Sequence, residues 1–155
     1  MSDVSLPLQI APLETADHAE WRRLWGAYQR FYEIELSEAV HASTWSRLLD
    51  PAEPVHGAIA RTASIGAVGL VHYVRHRTCW DIADSCYLQD LYVDEAQRGG
   101  GIGRALITHV AGAATSFGAA QVHWLTHQTN TRAMRLYDDI ALQSGFVDYR
   151  LGTPV

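Results

Sequence analysis

Apolar residues recur along this chain with two different periods, and the switches between them mark out its elements. Trp21, Leu24, Trp25, Tyr28, Phe31 and Tyr32 keep the three-and-four spacing of one helix face. Asp17 precedes them with Glu20 three positions on, the pair that forms a capping box. Val40, Trp45, Leu48 and Leu49 predict a second helix, capped by Ser37 and stopped by Asp50-Pro51. A short opening strand is expected at Leu8-Gln9-Ile10. From Val55 onward the chain reads as strand, over residues 55–61, 66–77 and 84–93, with Gly and Ser at the breaks. Leu106, Val110, Ala114 and Phe117 then mark a third helix that Gly118 ends. A strand over 121–126 follows. A fourth helix carries Ala133, Leu136, Tyr137 and Ile140 on its apolar face, with Asn130 as its cap and Gly145 as its end. A last strand is expected over 146–151. The order β-α-α-β-β-β-α-β-α-β is that of an α/β chain with a mixed sheet in a single domain spanning 1–155.

Composition narrows the class without deciding the function. With 155 residues, 48% of them hydrophobic and 19% charged, the chain is long enough for one real core. No apolar run reaches membrane-spanning length. The start, Met1-Ser2-Asp3-Val4-Ser5, lacks the basic and apolar parts of a signal peptide, so a cytoplasmic location is expected. In that compartment Cys79 and Cys86 are expected as free thiols, although their place in one hairpin would let them pair if oxidised. A net charge of −5 argues against a nucleic-acid surface and favours cationic partners.

The chemistry concentrates in Gln97-Arg98-Gly99-Gly100-Gly101-Ile102-Gly103-Arg104, between a strand and a helix. Glycines here let bare backbone approach a ligand, and the helix start adds unpaired N–H donors and the positive end of its dipole. Together these make an anion site suited to a pyrophosphate. The dinucleotide fingerprint G-x-G-x-x-G fails, because counting from Gly99 places Arg104 at its third glycine. The triphosphate loop fails as well, since no Lys-Ser or Lys-Thr follows the glycines. From the loop alone, a glycine turn with no ligand stays open.

Arg98-x-x-Gly101-x-Gly103 resembles the coenzyme A loop of the GNAT superfamily of N-acetyltransferases. Asn130, Ala133, Leu136-Tyr137 and Gly145-Phe146 are similar to that family's second signature, in the right order. Family members usually have Gly about four residues after the Leu-Tyr pair. Here Gly145 comes four residues later, about one more helical turn, as in a subgroup that includes yeast acetyltransferases acting on histones and small amines. The resemblance spans roughly residues 85–147. It implies the acetyltransferase fold, with coenzyme bound where two parallel strands part.

The same resemblance implies roles for individual residues. The main chain of Leu91, Tyr92 and Val93 would bond the pantetheine arm as an added strand. The N–H groups of Arg98, Gly99, Gly100, Gly101, Ile102, Gly103 and Arg104 would hold the pyrophosphate, and Asn130 the pantetheine region. Tyr137 would be the general acid for the departing thiolate, with direct attack by the amine and no covalent enzyme intermediate. The cosubstrate would be acetyl-CoA and the acceptor a small amine, polyamine or lysine side chain, with a homodimer left open. A non-catalytic acyl-CoA sensor of the same fold is the alternative.

Relatives acting on diamines carry Glu where this chain has Gln89, and others carry Glu where it has Leu125. The candidates left for taking the amine's proton are Tyr87, His72, His127 or a chain of waters. Asp90, by strict alternation with Gln89 and Leu91, would face the other side of its strand and bond across the sheet. Glu33, Glu35 and Glu38 lie where the family borders its acceptor groove, and Gln89 joins them as a substrate-contact candidate. Trp80, Asp81 and Asp84 could form another wall. His72 shares a strand face with His76, and His123 with His127. With no Cys or carboxylate at ligand spacing, no metal is expected.

Overall fold

A computed structural model describes residues 7–155. The chain packs as two units, one ending at Trp124 and the other running Leu125–Val155. The first holds a five-stranded sheet: β1 (Gln9–Pro12), β2 (Val55–Thr62), β3 (Gly66–His76), β4 (Asp84–Val93) and β5 (Ala119–His123), side by side in that order. Each pairing is antiparallel except β4 with β5, which is parallel. Three helices accompany the sheet: α1 (His18–Phe31), α2 (Glu38–Leu49) and α3 (Ile102–Ser116).

Their apolar faces explain where they lie. Trp21, Leu24 and Trp25 of α1 and Leu48 of α2 form one core with Leu13, Ile59, Ala67 and Leu70. Trp21 and Leu24 are fully buried. At about 2 kcal/mol for each large side chain removed from water, this cluster is what holds α1 against β3. On the other face α3 buries Ile102, Leu106, Ile107, Val110 and Ala114. Gly69 of β3 makes that contact possible. A Cβ there would lie 3.1 Å from Leu106 Cδ1, 3.3 Å from Ile102 Cγ2 and 3.2 Å from the Tyr92 carbonyl oxygen.

Several local signals act as the sequence suggests. Ser37 Oγ accepts from the Val40 N–H at 3.3 Å, α2 stops before Asp50-Pro51, and Gly118 follows α3 with φ +81°. Asp17 does not. It sits at the N-cap of α1, but its side chain makes no cap bond there. One carboxylate oxygen accepts instead from the Glu14 N–H and the other pairs with Arg61. Glu20 is drawn the same way, to Arg61 and to the Ala67 N–H at 3.1 Å. A guanidinium brought up by β2 outcompetes the local capping box, because charge-assisted bonds are the stronger ones.

The second unit holds α4 (Thr131–Ile140), an amphipathic helix with no fully buried residue. Asn130 occupies its N-cap but makes no side-chain cap bond. The helix ends at Ile140, with Ala141 extended, so the four extra residues before Gly145 add no helical turn. Leu142 is almost wholly exposed, and a further turn there would bury nothing to offset its ordering. The strand expected over 146–151 is not formed. A strand exists only when a neighbour takes up its N–H and C=O groups, and no ladder includes these residues. Phe146 is 76% exposed and Leu151 91%. Among the described residues no helix is long and apolar enough to cross a membrane.

Gly69→Val should force Leu106, Ile102 and the β4 backbone apart, at a cost of about 1–3 kcal/mol. Thermal unfolding should show Tm lower by roughly 3–10 °C. An unchanged Tm would mean that α3 is not seated on Gly69.

Candidate active site

The pairing of β4 and β5 starts at Asp84 and Ala119 and stops at Tyr87 and His123, while β4 runs on to Val93. Past Tyr87, β4 keeps only β3 as a paired neighbour among the described residues. A bulge lies in this stretch: Tyr73 pairs with Leu88 but His72 pairs with Asp90, leaving Gln89 as the extra residue. The strict alternation that would set Gln89 and Asp90 on opposite faces therefore does not hold. As the cross-strand partner of His72, Asp90 faces helix α1. It bonds across the sheet, as its sequence position suggests, and it still alternates with Leu91, the partner of Val71. Gln89 is exposed.

Asp90 is held by a buried chain of polar groups. Trp21 Nε1 donates to His72 Nε2 at 2.9 Å, and His72 Nδ1 lies 3.0 Å from Asp90 Oδ2. An indole can only donate, so Nε2 accepts and the ring proton sits on Nδ1, directed at the carboxylate. His72 is only 3% exposed and both its nitrogens are engaged, which removes it from the candidates for taking an amine proton. The Tyr28 hydroxyl also bonds Asp90. Burial first, and then the Asp90 charge, push its ionisation far above the usual phenol range, so it remains a donor. Trp25 packs edge-on to His72 at 4.8 Å and flat on Tyr28 at 5.0 Å.

Beyond Val93 the chain turns through Asp94 into the glycine loop. Asp94 is fixed by Arg23 and by its N–H to the Val68 carbonyl at 2.8 Å. Gly99 and Gly101 have φ of +87° and +86°, a conformation L side chains rarely adopt. Gly101 is the N-cap of α3, and no side chain caps that helix. A Cβ built on Gly101 would meet nothing within 4 Å. The first intrahelical bond runs from the Ala105 N–H to the Gly101 carbonyl at 3.0 Å. Uncapped first-turn donors at Ile102 and Gly103, next to the open space beside Gly101, fit an anionic ligand. Arg98 departs from expectation, because its N–H is already bonded to the Glu95 carbonyl at 3.3 Å. Its side chain braces the loop: Nε donates to the Val93 carbonyl at 3.0 Å, and the guanidinium lies 5.1 Å from the Phe31 ring centre and 5.6 Å from that of Tyr92.

The acidic candidates divide. Glu33 and Glu35 are exposed in the turn after α1, and Glu33 holds a left-handed φ of +55°. Buried Gln29 shapes that turn, its Oε1 accepting from the Leu36 N–H and its main-chain oxygen from the Ile34 N–H. Glu38 is not available in the same way. It pairs with Arg22 at 2.7 Å and with His41 at 3.4 Å, and the Arg22 bond holds its carboxyl below the usual range. Asp84 is buried between Arg75 and Arg77 and forms no open wall. Trp80 and Asp81 stay exposed on the hairpin.

Among the described residues no three His, Cys, Asp or Glu come together in a group that could hold a metal ion. His76 Nε2 lies 2.8 Å from His123 Nε2, and His127 is engaged with Thr129. Cys79 is exposed and Cys86 buried, and both are free thiols. Burial pushes Cys86 up to about 11, a thiol rather than a nucleophile. In the second unit Asn130 and Tyr137 lie seven positions apart on one side of α4, and Tyr137 is half-buried.

The Asp84 pair gives a pH test. Its carboxyl is held below the usual range, first by the Arg75 bond and then by the Arg77 charge. Such a group stabilises the fold at pH above its unfolded value, about 3.9, and loses that contribution as pH falls through the lower folded value. The Tm gap between wild type and Asp84→Asn should be full at neutral pH and close below about pH 4. A gap that persists in acid would mean the ion pairs are not its source.

The sequence profile of the acetyltransferase (GNAT) family matches residues 18–140. The D-amino-acid N-acetyltransferase HPA3 of Saccharomyces cerevisiae is 35% identical over 142 residues, covering 91% of this chain and 88% of the relative. Among solved structures, AAC(6')-Iy in complex with a bisubstrate analog, CoA-S-monomethyl-acetylneamine, superposes with a TM-score of 0.83 at 18% identity, covering 96% of this chain and 99% of that one. The ribosomal-protein-alanine N-acetyltransferase of Brucella melitensis biovar Abortus 2308 gives 0.79 at 20% identity, covering 95% and 100%. The chain is a member of the acetyltransferase (GNAT) family, with that family's fold.

Proposed function

We propose that the protein transfers the acetyl group of acetyl-CoA to a primary amine by direct attack. The observation that carries this is the open edge of β4 leading into an uncapped glycine turn. The free edge at Leu91, Tyr92 and Val93 suits an extended pantetheine arm, bonded as an added strand. The loop from Gly99 to Arg104 suits its pyrophosphate, with Arg98 bracing the turn and Asn130 contacting the arm. Both anchors are main chain, so they fix the coenzyme without selecting the acceptor.

Selection then falls to groups on the α1 side. The yeast relative named for D-amino acids and the structures named for aminoglycosides and ribosomal-protein alanine all point to amine acceptors. Exposed Glu33 and Glu35 and a net charge of −5 favour a cationic one. In the reaction the amine nitrogen bonds the acetyl carbon and the carbon–sulfur bond breaks. The Tyr137 phenol protonates the departing thiolate. A phenol near 10 can serve a thiolate near 8.5 when held within hydrogen-bond reach.

Coenzyme A should raise the Tm of the wild-type protein by mass action, while NAD and ATP do much less. Gly101→Glu places a side chain and a charge where the pyrophosphate belongs and should abolish that rise. Full coenzyme affinity in a folded Gly101→Glu protein would reduce the loop to a turn.

Coenzyme A release should follow addition of D-phenylalanine, putrescine or a lysine-containing peptide to acetyl-CoA and enzyme. Tyr137→Phe keeps the ring and removes the acid, so kcat should fall about a hundred- to ten-thousandfold while acetyl-CoA affinity holds. A kcat within about threefold of wild type, well short of that range, would make Tyr137 a packing residue.

A further inference from the structure

The Trp21–His72–Asp90–Tyr28 chain does more than hold the sheet together. Asp90 lies in β4 just after its partner β5 has left, one residue before the stretch proposed for pantetheine. Its side chain is 13% exposed, whereas His72 behind it is sealed. A carboxylate this confined usually pairs with Arg or Lys. The structure gives Asp90 two neutral donors, His72 Nδ1–H and the Tyr28 hydroxyl, and no Lys or Arg partner among the described residues. The groups shown against it are His72 from β3 and Tyr28 from α1, and Tyr32 and Tyr87 in turn lie near Tyr28. The Arg98 guanidinium is spent on Val93, Phe31 and Tyr92. The nearby Trp25 indole N–H is buried with no partner among the described residues, a donor kept unsatisfied at a cost of about 1–3 kcal/mol.

We propose that Asp90 is the residue that recognises the acceptor's ammonium group, its carboxylate oriented by His72 and Tyr28 so that the nitrogen docks beside the acetyl carbon. This rests on the acetyl-transfer reading above. It assigns the cation preference to a rigid group at the reacting end, rather than to the exposed glutamates of the α1–α2 turn. The bulge at Gln89 is what turns Asp90 to the α1 face. The indole of Trp21 fixes the His72 tautomer, and that tautomer keeps a donor, never a lone pair, against Asp90. Two bonds leave a carboxylate further acceptor positions for the ammonium.

Binding an ammonium beside a carboxylate has a chemical consequence. The nitrogen must lose one proton before it has a lone pair to attack with. That proton leaves to solvent, and the nitrogen loses its second as the amide forms. The thiolate gains one from Tyr137, which is then reprotonated, so one of the two protons ends on sulfur. An opposite charge within about 4–6 Å raises the amine's pKa by roughly 1–3 units. Asp90 therefore tightens acceptor binding and moves the rise of kcat with pH upward.

The test follows coenzyme A release by the full-length protein from about pH 6 to 10, across the ordinary range of amine titration. D-phenylalanine, putrescine and a lysine-containing peptide serve as acceptors. Asp90→Asn keeps the shape and an acceptor for His72 but removes the charge. Acceptor KM should rise about ten- to hundredfold, as for a lost charged hydrogen bond, with acetyl-CoA KM unchanged. The midpoint of the kcat–pH profile should move down by about one unit. Should Asp90→Asn lose its native Tm, Tyr28→Phe takes its place: with a competing donor gone, the midpoint should move up. Unchanged acceptor KM and midpoint would overturn the assignment, as would a fall in kcat alone, which would mark a general base. No release by wild type with any acceptor would overturn the acetyl-transfer reading, and this assignment with it.

Discussion

Strand β4 loses its parallel neighbour halfway along, at Tyr87, and everything proposed for coenzyme depends on that loss. A sheet interior leaves no backbone for a ligand to bond, and an ordinary open edge invites unwanted pairing. Here the exposed edge is short, bulged at Gln89 and running into a glycine turn, features that discourage another strand but admit a narrow extended molecule. The strand can be left half-partnered because both its faces are pinned. Trp21 and Leu24 hold β3 from one side, and α3 approaches through Gly69 from the other. The large apolar clusters thus stabilise the part of the sheet that hydrogen bonding leaves incomplete.

Two polar strings run through this packing, and they do different work. Arg22, Glu38, His41 and Gln29 tie α2 to α1 and shape the turn that presents Glu33 in its left-handed conformation. Trp21, His72, Asp90 and Tyr28 tie α1 to the bulge. Low dielectric makes a misdirected group in the second string costly. The geometry of Asp90 is accordingly set by buried Trp21 and His72 and by partly buried Tyr28.

Much of the first unit is legible in the sequence. Strand β4 is read at Asp84–Val93 without error, because a strand-like run there ends shortly before the glycine turn. The glycine turn and α3 are equally plain, since four glycines before a helical stripe admit few other readings. The bulge is not legible. Leu88-Gln89-Asp90-Leu91 looks like regular alternation, and the extra residue exists only in register with His72 and Tyr73 on another strand. The failure of the Asp17 cap has the same origin, in an arginine that β2 supplies from 44 positions away. At the C-terminus the apolar residues 146–151 carry a strand pattern, but a pattern specifies a willingness to pair, and pairing needs a partner. Asn130 and Tyr137 stand out only through family resemblance, since spacing alone explains Asn130 as well by a plain cap and Tyr137 better by a core position.

The position before Leu91 also bears on how such an enzyme balances binding against reactivity. Every unit by which a carboxylate raises an ammonium's pKa deepens the bound complex and removes free amine from it by the same factor of ten. Two carboxylates on this edge would double the hold and starve the attack unless one of them also removed the proton. This chain has Gln at position 89 and Asp at position 90. It supplies one fixed charge, already softened by two neutral donors, His72 and Tyr28. Recognition by Asp90 and deprotonation by solvent can coexist on those terms. An acceptor of modest basicity, such as the amino group of an amino acid rather than of an alkyl diamine, suffers least from the trade. The absence of Glu at position 89 is therefore consistent with a shift in acceptor class, not with loss of catalysis.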